Sequence, residues 1–446
     1  MALGRRARRG RAVTTASVEL WGSRIGAVTW DRDREVALFE YDPAFVGSGV
    51  QVAPLTMPLA AGVFSFPALG RDTFQGLPGL LADSLPDRFG NALIDAWLAS
   101  RGRSAESFDP VERLCYVGRR GMGALEFGPA LGRHATKSER LDLGALVELA
   151  SAVLTDREGF ETTLREEART RAVRDILRVG TSAGGARAKA VIAWNPDTGE
   201  VRSGQVEAGS GFSHWILKFD GVAGDTDREV DVPLGYGKIE YAYHLMARAA
   251  GVEMRECRLL AENGRHHFVT RRFDRTDEGD KVHMQTLCAL AHLDFNMPGA
   301  HSWEQAIDVA RRLELPMASI EELYRRMAFN VVARNQDDHT KNIAFLMDRA
   351  GRWSLAPAYD LTYSYNPDGR WTNRHQMSIA GKRDDFERAD FASVGKVAGL
   401  VRGRALGILD EVSEAVAGWA GFAEAAGVGA DHAQRIGAAH RALGRG

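Results

Sequence analysis

The stretch NQDDHTKN, residues 335–342, places Asp337 and Asn342 five residues apart, and Asp360 follows Asn342 by eighteen. Kinase-like folds use this arrangement for phosphoryl transfer: one Asp accepts the proton of a substrate hydroxyl, an Asn five residues on binds Mg²⁺, and a later Asp holds Mg²⁺ against the nucleotide phosphates. Mg²⁺ is a hard cation that takes oxygen ligands and keeps few protein contacts, which suits Asn342 and Asp360 as metal ligands. Asp337 would orient the hydroxyl while ionised, and Lys341 would balance the transferring phosphoryl group. Two other readings stand beside this one. A loop of Asn, Asp and Thr is often a solvated turn or a helix cap. Asp337, Asp338 and His339 could also start a hydrolytic metal site, although RHHF at 265–268 lies in a strand pattern and offers no further ligand cluster.

The neighbouring elements must present these side chains. Leu323, Met327 and Val331 recur every four residues, so a helix delivers the chain to Asn335. After the octet, IAFLM reads as a strand, DRAG as a turn and RWSLA as a returning strand, with Asp360 just beyond. Upstream, VGTSAGGARAKAVIAW (179–194) is a Gly-rich loop feeding a strand. It matches neither the P-loop pattern nor G-x-G-x-x-G. Still, Gly180, Gly184 and Gly185, beside Ala186, let backbone N–H groups approach an anion, and Arg187 and Lys189 add positive charge. A flexible hairpin loop would read the same way. In HWILKFD, strand alternation puts Trp215, Leu217 and Phe219 on one side and Ile216 and Lys218 on the other. A lysine in so apolar a strand needs a partner. ATP phosphates with Glu240, from the helix KIEYAYHLMARAAG, would supply it; at a sheet edge, water would do instead.

The rest of the chain supports a folded, multi-part protein. With 446 residues and 45% hydrophobic content there is ample material for real cores. The 57 Lys and Arg nearly cancel the 59 Asp and Glu, leaving a net charge of −2, so no global field points to nucleic acid or an acidic membrane. No window approaches the roughly 18 apolar residues of a membrane span. Cys115, Cys257 and Cys288 are odd in number and far apart, which argues against a disulfide framework and fits a reducing cytoplasm. The Arg-rich opening, MALGRRARRGRA, reads as a solvated tail. From Ser17 to about Leu59 the pattern is β-like, and FQGLPGLLADSLPDRFGNALIDAWLAS carries a helix from about Asp87 with Phe89, Leu93 and Trp97 on one face. The divisions expected are an N-terminal α+β subdomain over 17–135, a sheet-containing lobe over 140–275 and a mainly helical lobe over 276–446.

Together these residues resemble the HipA-like serine/threonine kinases, the toxin components of type II toxin–antitoxin modules, from roughly Val18 to the C-terminal helices. FQGLPGLLADSLPDRFGNALIDAWL looks like that family's N-terminal signature, SAGGARAKA like its Gly-rich loop, RRFDR like its post-hinge segment, and NQDDHTKNIAF with LAPAYDLTYS like its catalytic and metal segments. The resemblance implies an α+β, two-lobed protein-kinase-like fold. It implies Asp337 as catalytic base, Asn342 and Asp360 as Mg²⁺ ligands, and Lys218 on the ATP phosphates. It also implies His339 beside the nucleotide and adenine against the hinge near Arg271 and Phe273. Autophosphorylation of Ser182, or of the adjacent Thr181, would place a phosphate of about −1.5 to −2 charge in the ATP cradle and repel the nucleotide. A protein substrate such as an aminoacyl-tRNA synthetase follows from the same resemblance, as does a helix-turn-helix antitoxin through which the chain would reach DNA. A small-molecule phosphotransferase and a nucleotide-binding corepressor with a vestigial site are the alternative readings.

Overall fold

The computed structural model describes residues 14–131, 138–155, 171–180, 187–205, 209–222 and 234–443. Strands β1 (Thr15–Leu20), β2 (Ser23–Asp31), β3 (Val36–Tyr41), β4 (Val63–Phe64) and β5 (Leu125–Gly128) form an antiparallel sheet of order β4-β3-β2-β1-β5. Trp21 and Gly22, at φ 50° and 79°, make the tight β1–β2 turn, because a two-residue hairpin whose twist matches its strands needs positive φ at both positions. Ala16, Val18 and Leu20 alternate into the core of this unit. The helix Arg88–Ser100 begins at Asp87, whose Oδ1 accepts the Gly90 N–H at 2.6 Å. Its Phe89 and Leu93 are buried as the spacing requires, while Trp97 is half-buried and packs beside Tyr116 at 5.1 Å.

A second antiparallel sheet contains β6 (Lys189–Trp194), β7 (Val201–Ser203), β8 (Ser213–Lys218), β9 (Cys257–Glu262) and β10 (Arg265–Arg271), in the order β7-β6-β8-β10-β9. Trp215 and Leu217 of β8 face the core formed with helices Leu143–Thr155 and Arg171–Val179. Lys218 points to the other face, where the helix Tyr236–Ala249 lies. Gly237 lets that helix close on β10, because a Cβ there would collide with the His266 carbonyl.

The hairpin expected after the polar octet is present as β12 (Ala344–Met347) and β13 (Trp353–Leu355). A third strand, β11 (His283–Thr286), pairs with β12 from about sixty residues upstream and was not foreseen. Below it, helices Trp303–Arg312, Met317–Val332, Arg388–Val397, Arg404–Ala417, Trp419–Ala425 and Ala430–Ala439 enclose one core, into which Leu323, Met327 and Val331 all point. The chain thus has a two-lobed protein-kinase-like fold preceded by a small α+β unit. Among the described residues no helix is long and apolar enough to cross a membrane, and all three cysteines are free and buried.

Candidate active site

The octet 335–342 is divided between the interior and the cleft. Asn335, Gln336, Asp338 and Thr340 are buried. Each has internal partners, as buried polar groups require. The Asn335 amide donates to Asn330 Oδ1 at 3.0 Å, the Gln336 amide to the Thr372 carbonyl at 2.9 Å, and the Thr340 hydroxyl to the Leu293 carbonyl at 2.7 Å. Asp338 accepts from Trp303 Nε1 at 3.1 Å and from the Gln376 N–H at 2.8 Å, and lies 3.0 Å from His375 Nδ1. The remaining residues of the octet, Asp337, His339, Lys341 and Asn342, are partly exposed. Asn342 donates from Nδ2 to the Asp337 carbonyl at 2.8 Å, which joins the two ends of the five-residue spacing. Because Asp338 faces inward, a three-ligand site built on Asp337, Asp338 and His339 is not assembled.

Across the cleft, Lys218 makes ion pairs with both Glu240 and Asp360. Burial by itself would lower the Lys218 pKa, but the carboxylates of Asp360 and Glu240 outweigh it and hold the ammonium protonated. Asp360 is likewise held well below the usual carboxylate range: burial acts against this, and the charges of Lys218 and Lys189 overcome it. Burial pushes Glu240 up, with Lys218 opposing. Asp360 has φ 54°, a left-handed backbone costing a non-glycine residue about 1 kcal/mol. His339 lies between the two acidic positions, with Nε2 3.9 Å from Asp337 Oδ1, and burial lowers its pKa to about 4. At neutral pH it is an uncharged ring, packed 5.3 Å from Phe295.

The other sequence candidates are placed as follows. Lys189 is buried in β6, directly opposite Lys218 in the strand register, with Nζ 3.8 Å from Asp87 Oδ2. Lys341 sets its ammonium 4.7 Å over the Phe295 ring, and its charge acts on Asp83. In the segment expected to form the hinge, the N–H groups of Arg271 and Arg272 donate to the carbonyls of Glu256 and His214 at 2.8 and 2.9 Å. The Arg271 side chain pairs with Asp277 at 2.9 Å. Phe273 is the next residue, half-buried and 5.5 Å from the Tyr359 ring. Thr181, Ser182, Gly184, Gly185 and Ala186 lie outside the described residues.

Two carboxylates that the sequence did not single out lie beside these groups. Asp83 accepts from the Thr286 N–H at 2.6 Å and the Thr286 hydroxyl at 2.9 Å. It thereby joins the N-terminal unit to the end of β11. Asp87 faces Lys189. Both lie in LADSLPDRFG, where the visible signal was a helix start; nothing local says that they meet residues a hundred or more positions away.

The donor set suits Mg²⁺. Asp360 is an ionised carboxylate, and the Asn342 amide uses its nitrogen on Asp337, which leaves Oδ1 as its acceptor. These are hard oxygen donors few enough to leave room for phosphate oxygens. Among the described residues no group of three or more His, Cys, Asp or Glu side chains could hold a metal by itself.

Residues 181–419 match the family described as HipA-like C-terminal domain, and residues 16–128 match the HipA N-terminal domain. A protein of Sinorhizobium fredii (strain NBRC 101917 / NGR234) named "Putative kinase Y4mE" is 30% identical over 190 residues, which cover 39% of this chain and 44% of that protein. The alignment thus spans under half the length of this curated relative. Among solved structures, the chain matches one of the Shewanella oneidensis MR-1 toxin–antitoxin system HipA, HipB and its operator DNA with a TM-score of 0.66 at 16% identity, covering 94% of each chain.

Proposed function

From the premise that the chain belongs to the HipA family, whose C-terminal domain accounts for more than half of it, we propose that it is a kinase-like toxin that transfers the γ-phosphoryl group of ATP to a serine or threonine of a protein. The observation that carries this reading is Lys218, held between Glu240 of the sheet lobe and Asp360 of the helical lobe, beside the loop that presents Asp337 and Asn342. In kinase-like sites a strand lysine paired to a helix glutamate contacts the nucleotide phosphates, and catalysis is mainly positioning and charge stabilisation.

Lys218 and Lys189 bind the phosphates, with Gly184, Gly185 and Ala186 as the backbone cradle. The hinge around Arg271 and Phe273 receives the adenine, and neutral His339 packs beside the nucleotide. Asn342 and Asp360 would hold Mg²⁺, which when bound would shield the phosphate oxygens. Asp337 orients the attacking hydroxyl and takes its proton as the new P–O bond forms and the bond to ADP breaks. Lys341 adds positive charge at the edge of the site. The same reading extends to self-modification at Ser182 or Thr181 and to an aminoacyl-tRNA synthetase as substrate. It also extends to a helix-turn-helix antitoxin that links the chain to DNA, to a cytoplasmic setting, and to units bounded at 17–135, 140–275 and 276–446.

The test is incubation of wild-type and Asp337→Ala protein with Mg²⁺ and γ-labelled ATP, followed by phosphosite mapping. Label on Ser182, Thr181 or an added protein, in wild type only, is the expected result. Label appearing only on an added small molecule would replace the protein-kinase reading with a small-molecule phosphotransferase. Tight ATP binding with no transfer, even after prior dephosphorylation, would leave a nucleotide-binding corepressor.

A further inference from the structure

Gly180 and Lys189 both pack against the start of the helix Arg88–Ser100. Gly180 follows the helix Arg171–Val179 so closely against this support that a Cβ there would lie 2.6 Å from Leu93 Cδ1 and 3.0 Å from Phe89 Cε1. Lys189, the first residue of β6, stands 3.8 Å from Asp87, the N-cap of the same helix. The two side chains are only 4% and 3% exposed, so water screens their attraction weakly. Asp87 has a separate use for each oxygen: Oδ1 caps the helix through the Gly90 N–H, and Oδ2 faces the lysine.

The need for a counter-charge is plain from the strand register. Lys189 and Lys218 are directly opposite each other on β6 and β8, and like charges in that relation repel. Lys218 pairs with Glu240 and Asp360, and Asp360 also feels the Lys189 charge, so Asp87 shares the balancing of this pair of cations. We propose that Asp87 is a positioning residue of the phosphate site: its carboxylate pairs with Lys189 and so sets that ammonium beside Lys218. This rests on the reading of the cleft as an ATP site.

Asparagine caps helices as well as aspartate does, so Asp87→Asn keeps the cap and removes the charge. Asp87→Ser, also a good cap, is the second variant. Steady-state phosphoryl transfer at varied ATP should show KM for ATP raised about three- to tenfold with kcat within about twofold. In a Lys189→Met background the same substitution should add nothing. A merely structural role would lower the melting temperature and the active fraction, and with it kcat, leaving KM unmoved. Unchanged KM in both variants, or an equal rise without Lys189, would overturn the role of Asp87. Calorimetric titration of wild type with Mg²⁺-ATP separates the premises: if wild type binds no ATP, the cleft reading fails, and Asp87's role with it. If wild type binds and the variants match it, only Asp87's role fails.

Discussion

Replacing Glu240 with glutamine tests the arrangement around Lys218 most directly. Glutamine has nearly the same shape and still accepts a hydrogen bond, so the perturbation is one charge at a side chain that is 2% exposed. A carboxylate and an ammonium roughly 3 Å apart attract by about 5 kcal/mol at an effective dielectric of 20. Desolvation offsets part of this, and breaking one partner of a buried pair typically costs about 3–5 kcal/mol. Lys218 has Asp360 as its second carboxylate, so the lower end applies. The loss changes what Asp360 can do: with Glu240 neutral, Lys218 holds Asp360 more tightly, and Mg²⁺ must compete for it. About 3 kcal/mol corresponds to roughly a hundredfold fall in kcat/KM, at 1.36 kcal/mol per decade. It should appear as a higher Mg²⁺ requirement in a labelled-ATP transfer assay. Activity within about threefold of wild type at every Mg²⁺ concentration, in a variant that still melts cooperatively, would refute the argument.

Neighbouring aspartates should behave oppositely. Asp338→Ala leaves the buried Trp303 Nε1 and Gln376 N–H without their acceptor and should cost about 2–4 kcal/mol in denaturant unfolding, whereas Asp337→Ala, at a side chain 44% exposed, should cost under about 1 kcal/mol. Asp360→Ala should weaken Mg²⁺-ATP binding by about tenfold or more in calorimetric titration, and an unchanged affinity would remove Asp360 as a metal ligand. Burial lowers the pKa of His214, His244, His283, His292, His339 and His440 to about 4. Between about pH 6.5 and 4 the unfolded chain therefore binds more protons at these sites, and stability falls as pH drops through that window. The raised carboxyls of Asp83 and Glu240 oppose this at two sites, so the net expectation is a melting temperature lower at pH 5 than at pH 7; a flat or rising profile would contradict it.

The parts of the site readable in advance were those carried by local pattern. The four-residue recurrence of Leu323, Met327 and Val331 announces a helix, the apolar runs after Asn342 announce a hairpin, and alternation in β8 shows that Lys218 must look away from Trp215 and Leu217. The physical reason is that helix and strand periods act over a few residues. Contacts made by closing long loops leave no such trace. Strand β11 pairs with β12 across some sixty residues, and Asp83 and Asp87 meet Thr286 and Lys189 only because the lobes stack. Adjacency is no guide either: Asp338 adjoins Asp337 in sequence, yet the loop leaves the Asp337 carboxylate partly exposed and turns that of Asp338 inward to Trp303.

Just past β10, Asp274 is fully buried with Arg272 and Arg275, and it accepts the Gly123 N–H at 2.7 Å; Arg275 in turn donates to the carbonyls of Gly123 and Gly121. Burial opposes ionisation of Asp274, but the two guanidinium groups hold its carboxyl far below the usual range. Opening the Gly121–Gly123 turn would therefore expose the charged cluster of Asp274, Arg272 and Arg275, which ties the turn to the segment after β10. Amide exchange should report that directly: Gly123, in a glycine-rich turn where exchange is ordinarily fast, should exchange only on the timescale of sub-global or global opening.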